Sequence, residues 1–481
     1  MPQLPKIIQG GMGVGVSNWR LAQAVSNLGQ LGVVSGTALD QVLVRRLVDG
    51  DPGGAIRRAL AAFPFPAMAS RIWHEFFVPG GKPPEQPYPR LPLHHHRQPR
   101  KLVELCITAN FVEVFLAREG HINPVGINFL EKVQLPHLAS IYGAMLAGVG
   151  YVLMGAGIPS QIPGILDAYA AGRSAEYRLS VSGHAEATEE AVARFNPADY
   201  AERPILPVLA RPQFLAIVSS HTLAASLLRR ASGRVDGFVV EGPTAGGHNA
   251  PPRGKLQLND AGEPQYGQRD RVDLGAMRAL GVPFWLAGGY GTPEKLAEAL
   301  AEGAAGVQVG TAFAFSDESG LRDDLKRDLL AKAAGGAGRV LTDPLASPTG
   351  FPFKVAQLEG TASDPGVAQN RCRVCDLGFL REAYARPDGD LAWRCSAEPV
   401  DCYVAKGGAE EATRGRKCLC NALLANIGHA QIRSVDGAIV LEPALVTLGD
   451  DINNVARFLG PDKATYSAAD VLSALLVPQA V

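Results

Sequence analysis

The sequence predicts an α/β fold: a (β/α)8 TIM barrel with a loop excursion and a C-terminal helical extension that holds cysteines. Two observations carry this. Short apolar runs alternate with helix-type segments as far as Gly310. Three of those runs end in turns of small residues: Glu-Gly-Pro-Thr-Ala-Gly-Gly-His at 241–248, Ala-Gly-Gly at 287–289 and Gly-Thr at 310–311. Parallel barrels carry their ligand loops at such strand ends, and glycine lets backbone approach a flat or anionic ligand closely. Size agrees. The chain has 481 residues, 47% of them hydrophobic, enough for a barrel of about 250 residues and more besides.

A first strand is expected at 6–9, leading into a glycine-rich stretch at 10–15, a helix at 19–28 and a second strand at 31–34. The glycines at 11, 13 and 15 lack G-x-G-x-x-G spacing, and no acidic residue follows the second strand. A dinucleotide fingerprint is therefore not expected. Residues 71–104 interrupt the alternation with a Pro-rich, basic stretch ending in His94, His95 and His96. This excursion reads as a solvated loop, a candidate lid or a subunit contact in a homo-oligomer; metal binding by the three histidines is the alternative, though sequence neighbours rarely converge on one ion. The alternation resumes with strands at 124–129, 151–154, 205–208, 215–218, 238–241, 282–286 and 306–309, and a helix at 138–147. A helix at 293–302 has clear ends: Thr292 as N-cap, Pro293 at the first helical position and Gly303 past the end. Together these make about eight β units. An insertion at 249–273 follows His248. Beyond residue 315 the pattern turns helical, with a helix at 321–334. A Pro/Gly/Ser-rich stretch at 343–370 marks a boundary. The expected division is a barrel at 1–345 and an extension at 346–481, with helices near 409–427 and 467–477.

The formal net charge is −1, which argues against a nucleic-acid-binding surface. No apolar run reaches the roughly 18–20 residues of a membrane span, and residues 1–6 lack the apolar core of a signal peptide. A soluble, cytoplasmic protein is expected.

Within the barrel, His248 places a group that titrates near neutral pH at the mouth of a glycine-lined site. Its expected role is catalytic or substrate-contacting. Glu241 ends the same strand and either orients substrate or holds the loop. Asn128, in mid-strand, needs a polar partner if buried, and a ligand would supply one.

These residues resemble the FMN-dependent nitronate monooxygenases, also known as 2-nitropropane dioxygenases, which are related to the flavin enoyl-acyl-carrier-protein reductases. The resemblance is carried by Gln9-Gly-Gly-Met12, Gly126-Ile-Asn128, Gly246-Gly-His248, Ala287-Gly-Gly289 and Gln308-Val-Gly-Thr311, spread over residues 5–350. It implies an FMN across the strand ends. Gly10, Gly11 and Met12 would contact the isoalloxazine, and Asn128 the flavin or its ribityl chain. Gly246, Gly247, Gly288, Gly289, Gly310 and Thr311 would hold the phosphate, with Ala287 and Gln308 in the same set. It also implies that His248 is the general base in oxidation of a small-molecule nitronate or nitroalkane, with O2 taking the electrons from the flavin. The alternative it leaves open is NAD(P)H-dependent reduction of an enoyl thioester.

Cys106 stands alone, whereas the other six cysteines lie between 372 and 420. In a reducing compartment such clustering suggests metal ligation or free thiols before disulfides. Cys372, Cys375, Cys418 and Cys420 form two chelate-like pairs suited to zinc or to an iron–sulfur cluster. Arg371, Arg373, Arg416 and Lys417 flank them and would offset thiolate charge. Thiols packed as small hydrophobes are the alternative.

Overall fold

Short apolar strands at the centre of the molecule follow one another in the order of the sequence. They are β1 (Ile7–Gln9), β2 (Gly32–Ser35), β3 (Val125–Leu130), β4 (Tyr151–Gly155), β5 (Gln213–Val218), β6 (Gly237–Glu241), β7 (Phe284–Ala287) and β8 (Gly306–Val309). The computed structural model describes residues 4–182, 191–435, 437–460 and 463–477. Each strand pairs in parallel with the next from β2 to β8, and β1 pairs in parallel with β8. The ring closes where Ile8 meets Leu31: Gln9 N donates to Leu31 O at 2.9 Å, and Leu31 N donates to Ile7 O at 3.1 Å. The fold is therefore a closed (β/α)8 barrel of the TIM type.

The period of two along each strand decides what fills it. Ile8, Val33, Leu153, Leu215, Val239 and Trp285 point inward and form one apolar cluster. Their neighbours Ile7, Val34, Val152, Phe214, Phe238 and Phe284 point outward into the layer beneath the helices. Trp285 is fully buried, and its indole N–H donates to Pro5 O at 2.8 Å. That bond plugs the barrel at the end where the strands begin, so a ligand has room only at the opposite end.

Three expectations change. Residues 205–208 form no strand: Pro204 and Pro207 remove ladder donors, and Ile205 and Val208 are 84% and 98% exposed. The ring is complete without them. The helix expected over 409–427 is a 3-10 turn, Glu410–Thr413, and a separate helix, Leu419–Ala425. Gly415, at φ +69°, stands between the two. The histidines of the excursion are not a solvated loop. His94 is 2% exposed, with Nε2 3.0 Å from Asp40 Oδ2 and Nδ1 2.9 Å from Gln98 Oε1. His96 stacks on Trp393, with ring centroids 5.2 Å apart. A loop runs from the helix Pro66–Phe76 to the helix Arg100–Arg118 and docks on the C-terminal segment, where Tyr88 and Gln431 exchange hydrogen bonds.

The C-terminal segment wraps the barrel. Strand β9 (Val340–Asp343) pairs antiparallel with β10 (Phe353–Ala356). Leu424, Val446, Leu448, Ile452 and Leu472 belong to the same apolar core as the barrel's outer layer. The helix Ala468–Leu475 has a Ser467/Asp470 capping box and packs on the helix Trp19–Asn27. Among the described residues no helix is long and apolar enough to cross a membrane.

Candidate functional site

A cavity of about 220 Å³ opens at the ends of the strands. Its walls include Gly10, Gly11 and Met12 after β1, Asn128 in β3, and Gly246, Gly247 and His248 after β6. Ala287, Gly288 and Gly289 border it at β7, as do Gln308, Gly310 and Thr311 at β8. The residues singled out in the barrel sequence thus converge on one space.

The walls fit a ligand that is both flat and polar. Asn128 Nδ2 donates to Gly11 O at 3.3 Å, while Asn128 Oδ1 and Gln308 Oε1 are buried without a partner. Buried amides are normally satisfied, so these two oxygens ask for donors from a ligand. Gly288 and Gly289 adopt φ of +92° and +77°, where a side chain would be strained. The turn leads to Thr292, whose side chain accepts from Lys295 N at 3.2 Å and starts the helix Pro293–Ala301. A left-handed glycine turn before a helix N-terminus suits an anion such as a phosphate.

Two ionisable groups face this space with unusual protonation. Burial lowers the His248 imidazole to about 4, with Lys132 acting in the same direction. It is therefore neutral at pH 7. Its Nε2 lies 2.7 Å from Ser347 Oγ, and Phe353 packs edge-on with ring centroids 4.8 Å apart. Burial lifts the Glu241 carboxyl to about 8, so it is protonated at neutral pH. A neutral base and a neutral acid, both at the end of β6, leave the cavity without fixed charge from either.

Much of the support for His248 comes from residues that sequence reasoning did not reach. Gly247 N donates to Thr447 Oγ1 at 2.8 Å, Lys354 N to Gly247 O at 2.9 Å and Asn249 N to Pro352 O at 2.9 Å. Asp450 N donates to Thr244 O at 3.0 Å, and the buried Lys354 ammonium holds Asp450 at 2.6 and 2.7 Å. This approach explains Gly246: a Cβ there would stand 2.9 Å from the Leu448 carbonyl carbon. Phe379, Leu380, Cys420, Leu423 and Asp451 complete the wall. No local pattern marks Ser347, Thr447 or Asp451.

The cysteines separate. Cys372 is exposed, whereas Cys375, Cys395, Cys418 and Cys420 border one small apolar cavity. Among the described residues, one group of three metal-type ligand atoms falls within 4.8 Å: Asp40, His94 and Cys106, all buried.

Residues 191–343 match the family model described as nitronate monooxygenase. The earlier resemblance therefore holds over that segment, which spans β5 to β8 and supports an oxidoreductase. A curated relative from Mycobacterium tuberculosis, a (3aS,4S,5R,7aS)-5-hydroxy-7a-methyl-1-oxo-octahydro-1H-indene-4-carboxyl-CoA dehydrogenase, is 31% identical over 164 residues. That alignment takes in 34% of this chain and 41% of the relative. The enzyme of the same name from Rhodococcus jostii is 30% identical over 137 residues, 28% of this chain and 35% of the relative. The chain thus matches well under half the length of either. Among solved structures, FabK from Thermotoga maritima aligns with a TM-score of 0.47 and 16% identity, over 98% of this chain and 91% of that one. Nitroalkane oxidase from Streptomyces ansochromogenes aligns with a TM-score of 0.47 and 15% identity, over 98% and 94%.

Proposed function

We propose that this protein is an FMN-dependent oxidoreductase that oxidises alkyl nitronates with O2, His248 being the base that forms the nitronate by taking the α-proton of the parent nitroalkane. The observation that carries the reading is the pairing of a neutral imidazole with unsatisfied polar atoms and left-handed glycines around one cavity. Asn128 and Gln308 would hold the polar edge or ribityl chain of the flavin. The turns at Gly288–Gly289 and Gly310–Thr311 would hold its phosphate. Bound there, FMN would supply the electron sink between substrate and O2.

The chain's own residues supply the rest. His248 Nε2 is held by Ser347 Oγ, which leaves Nδ1 as the atom to receive a carbon-bound proton. An imidazole kept uncharged by burial has a free lone pair across the physiological range. Its low pKa limits its strength, so the substrate proton must be acidified by an adjoining group, as a nitro group does. Neutral Glu241 keeps repulsion away from an anionic substrate. Phe353, Phe379 and Leu380 exclude water.

A second reading is favoured by one observation. The two curated relatives are named as dehydrogenases of a carboxyl-CoA. A thioester carbonyl also acidifies its neighbouring C–H, and the same base serves. In that reading a nicotinamide cofactor, NADH or NADPH, exchanges electrons with the flavin in place of O2.

The test is direct. Purified protein should be yellow and should consume O2 with an alkyl nitronate or its nitroalkane. His248→Ala should keep FMN and lose turnover by about 10²–10⁴-fold, the usual worth of a positioned base. Parent-like turnover in that variant would remove the assignment. Anaerobic bleaching by NADPH together with enoyl-thioester turnover, and no reaction with nitronate, would favour the second reading.

A further inference from the structure

The small cavity lined by Cys375, Cys395, Cys418 and Cys420 is otherwise apolar, bordered by Val374, Leu377, Leu380 and Leu419 among others. Four sulfurs from three separate stretches of chain converge on this one space. The Asn421 side-chain amide donates to Cys418 Sγ at 3.5 Å, and Cys418 Sγ lies 3.9 Å from Val374 O. The bond with Cys375 and burial hold Cys395 as a neutral thiol, and burial holds Cys418 and Cys420 so, which means that a metal centre there would displace their protons. Positive charge is close as well: Arg381 acts on Cys375, Cys395 and Cys420, and Arg371 on Cys418.

The spacing decides between centres. A tetrahedral zinc with Zn–S of about 2.3 Å would bring its sulfurs to roughly 3.8 Å from one another. No three of these four lie within 4.8 Å of one another, although Cys375 and Cys395 touch as a pair. A multinuclear centre, whose ligands attach to different metal atoms, accommodates that spread.

We propose that Cys375, Cys395, Cys418 and Cys420 ligate an iron–sulfur cluster, with Cys395 in place of the exposed Cys372. The site adjoins the large cavity, because Leu380, Leu419 and Cys420 border both spaces. The proposal does not depend on the flavin reading.

Full-length protein isolated without oxygen from iron-replete cells tests it. Iron and acid-labile sulfide should be present in equal amounts, about two or four of each per chain, with visible absorbance that dithionite bleaches. Cys395→Ser should lose most of both, and Cys372→Ser should keep them. In unaltered protein the four sulfurs should resist alkylation until iron is chelated, while Cys372 and Cys402 react at once. This arm remains informative if Cys395→Ser does not fold. One zinc per chain without sulfide, neither metal, a need for Cys372 but not Cys395, or alkylation indifferent to chelation would each overturn the assignment. Flavin is counted separately, so its loss with iron retained bears on the FMN reading alone.

Discussion

His248 and Glu241 sit at one strand end and are moved in opposite directions by the same cause, removal from water. The imidazole falls to about 4 and the carboxyl rises to about 8. The sign follows for each. As the proposed base, His248 would act when neutral, so its limb of the kcat/KM profile should lie near pH 4, not near 6.5. Glu241 carries no charge below about 8, so activity declines as pH rises through that value. A plateau should span the interval, and Glu241→Gln should abolish the upper decline only. A limb centred near 6.5 would contradict the burial of His248. Stability tells the same story. A carboxyl raised from 4.5 to about 8 by folding stabilises the native state below 4.5, and that stability is lost as pH rises through 8. Glu241→Gln should therefore raise Tm more at pH 9 than at pH 5.

At the scale of elements, the barrel strands were legible because each combines an apolar run with a glycine-containing turn, and both signals are local. The helix Pro293–Ala301 was legible for the same reason, since its cap lies within its own sequence. Residues 205–208 misled because apolar character was read without weighing Pro204 and Pro207. His94 misled because its partner, Asp40, stands 54 residues away, and nothing near a basic loop announces a buried acid. The strands also allow a quantitative test. Trp285 fills the barrel interior and bonds to Pro5, so Trp285→Ala should cost about 3–5 kcal/mol, read as a lowered urea midpoint at unchanged slope. A cost under about 1 kcal/mol would mean that the interior collapses readily around the gap.

For the whole molecule, the barrel and the C-terminal segment are one construction. Residues 1–345 supply the strand ends, whereas Ser347, Phe353, Leu380, Cys420, Thr447 and Asp451 supply the opposite wall or the hold on His248. None of this was readable from sequence, because bonds such as Gly247 to Thr447 cross 200 residues. A fragment ending at residue 345 should expose the apolar surface that Val446, Leu448 and Leu472 cover. It should aggregate, or remain soluble without taking up FMN; gel filtration and flavin fluorescence distinguish these from a fragment that binds as the full chain does. Tight uptake by the fragment would show that the barrel is self-sufficient.

The contact between residues 244–247 and 447–450 has a further consequence in time. Synthesis delivers the Gly-Gly-His turn two hundred residues before the segment that pins it. While the chain is still emerging, that turn has no partner for its Gly247 amide and the cavity has only one side. Contacts this distant along the chain also form late in folding. Acquisition of the proposed FMN at this site should therefore follow translation of residue 451. Its rate in the cell should depend on free cofactor and completed chain, not on the pace of the ribosome.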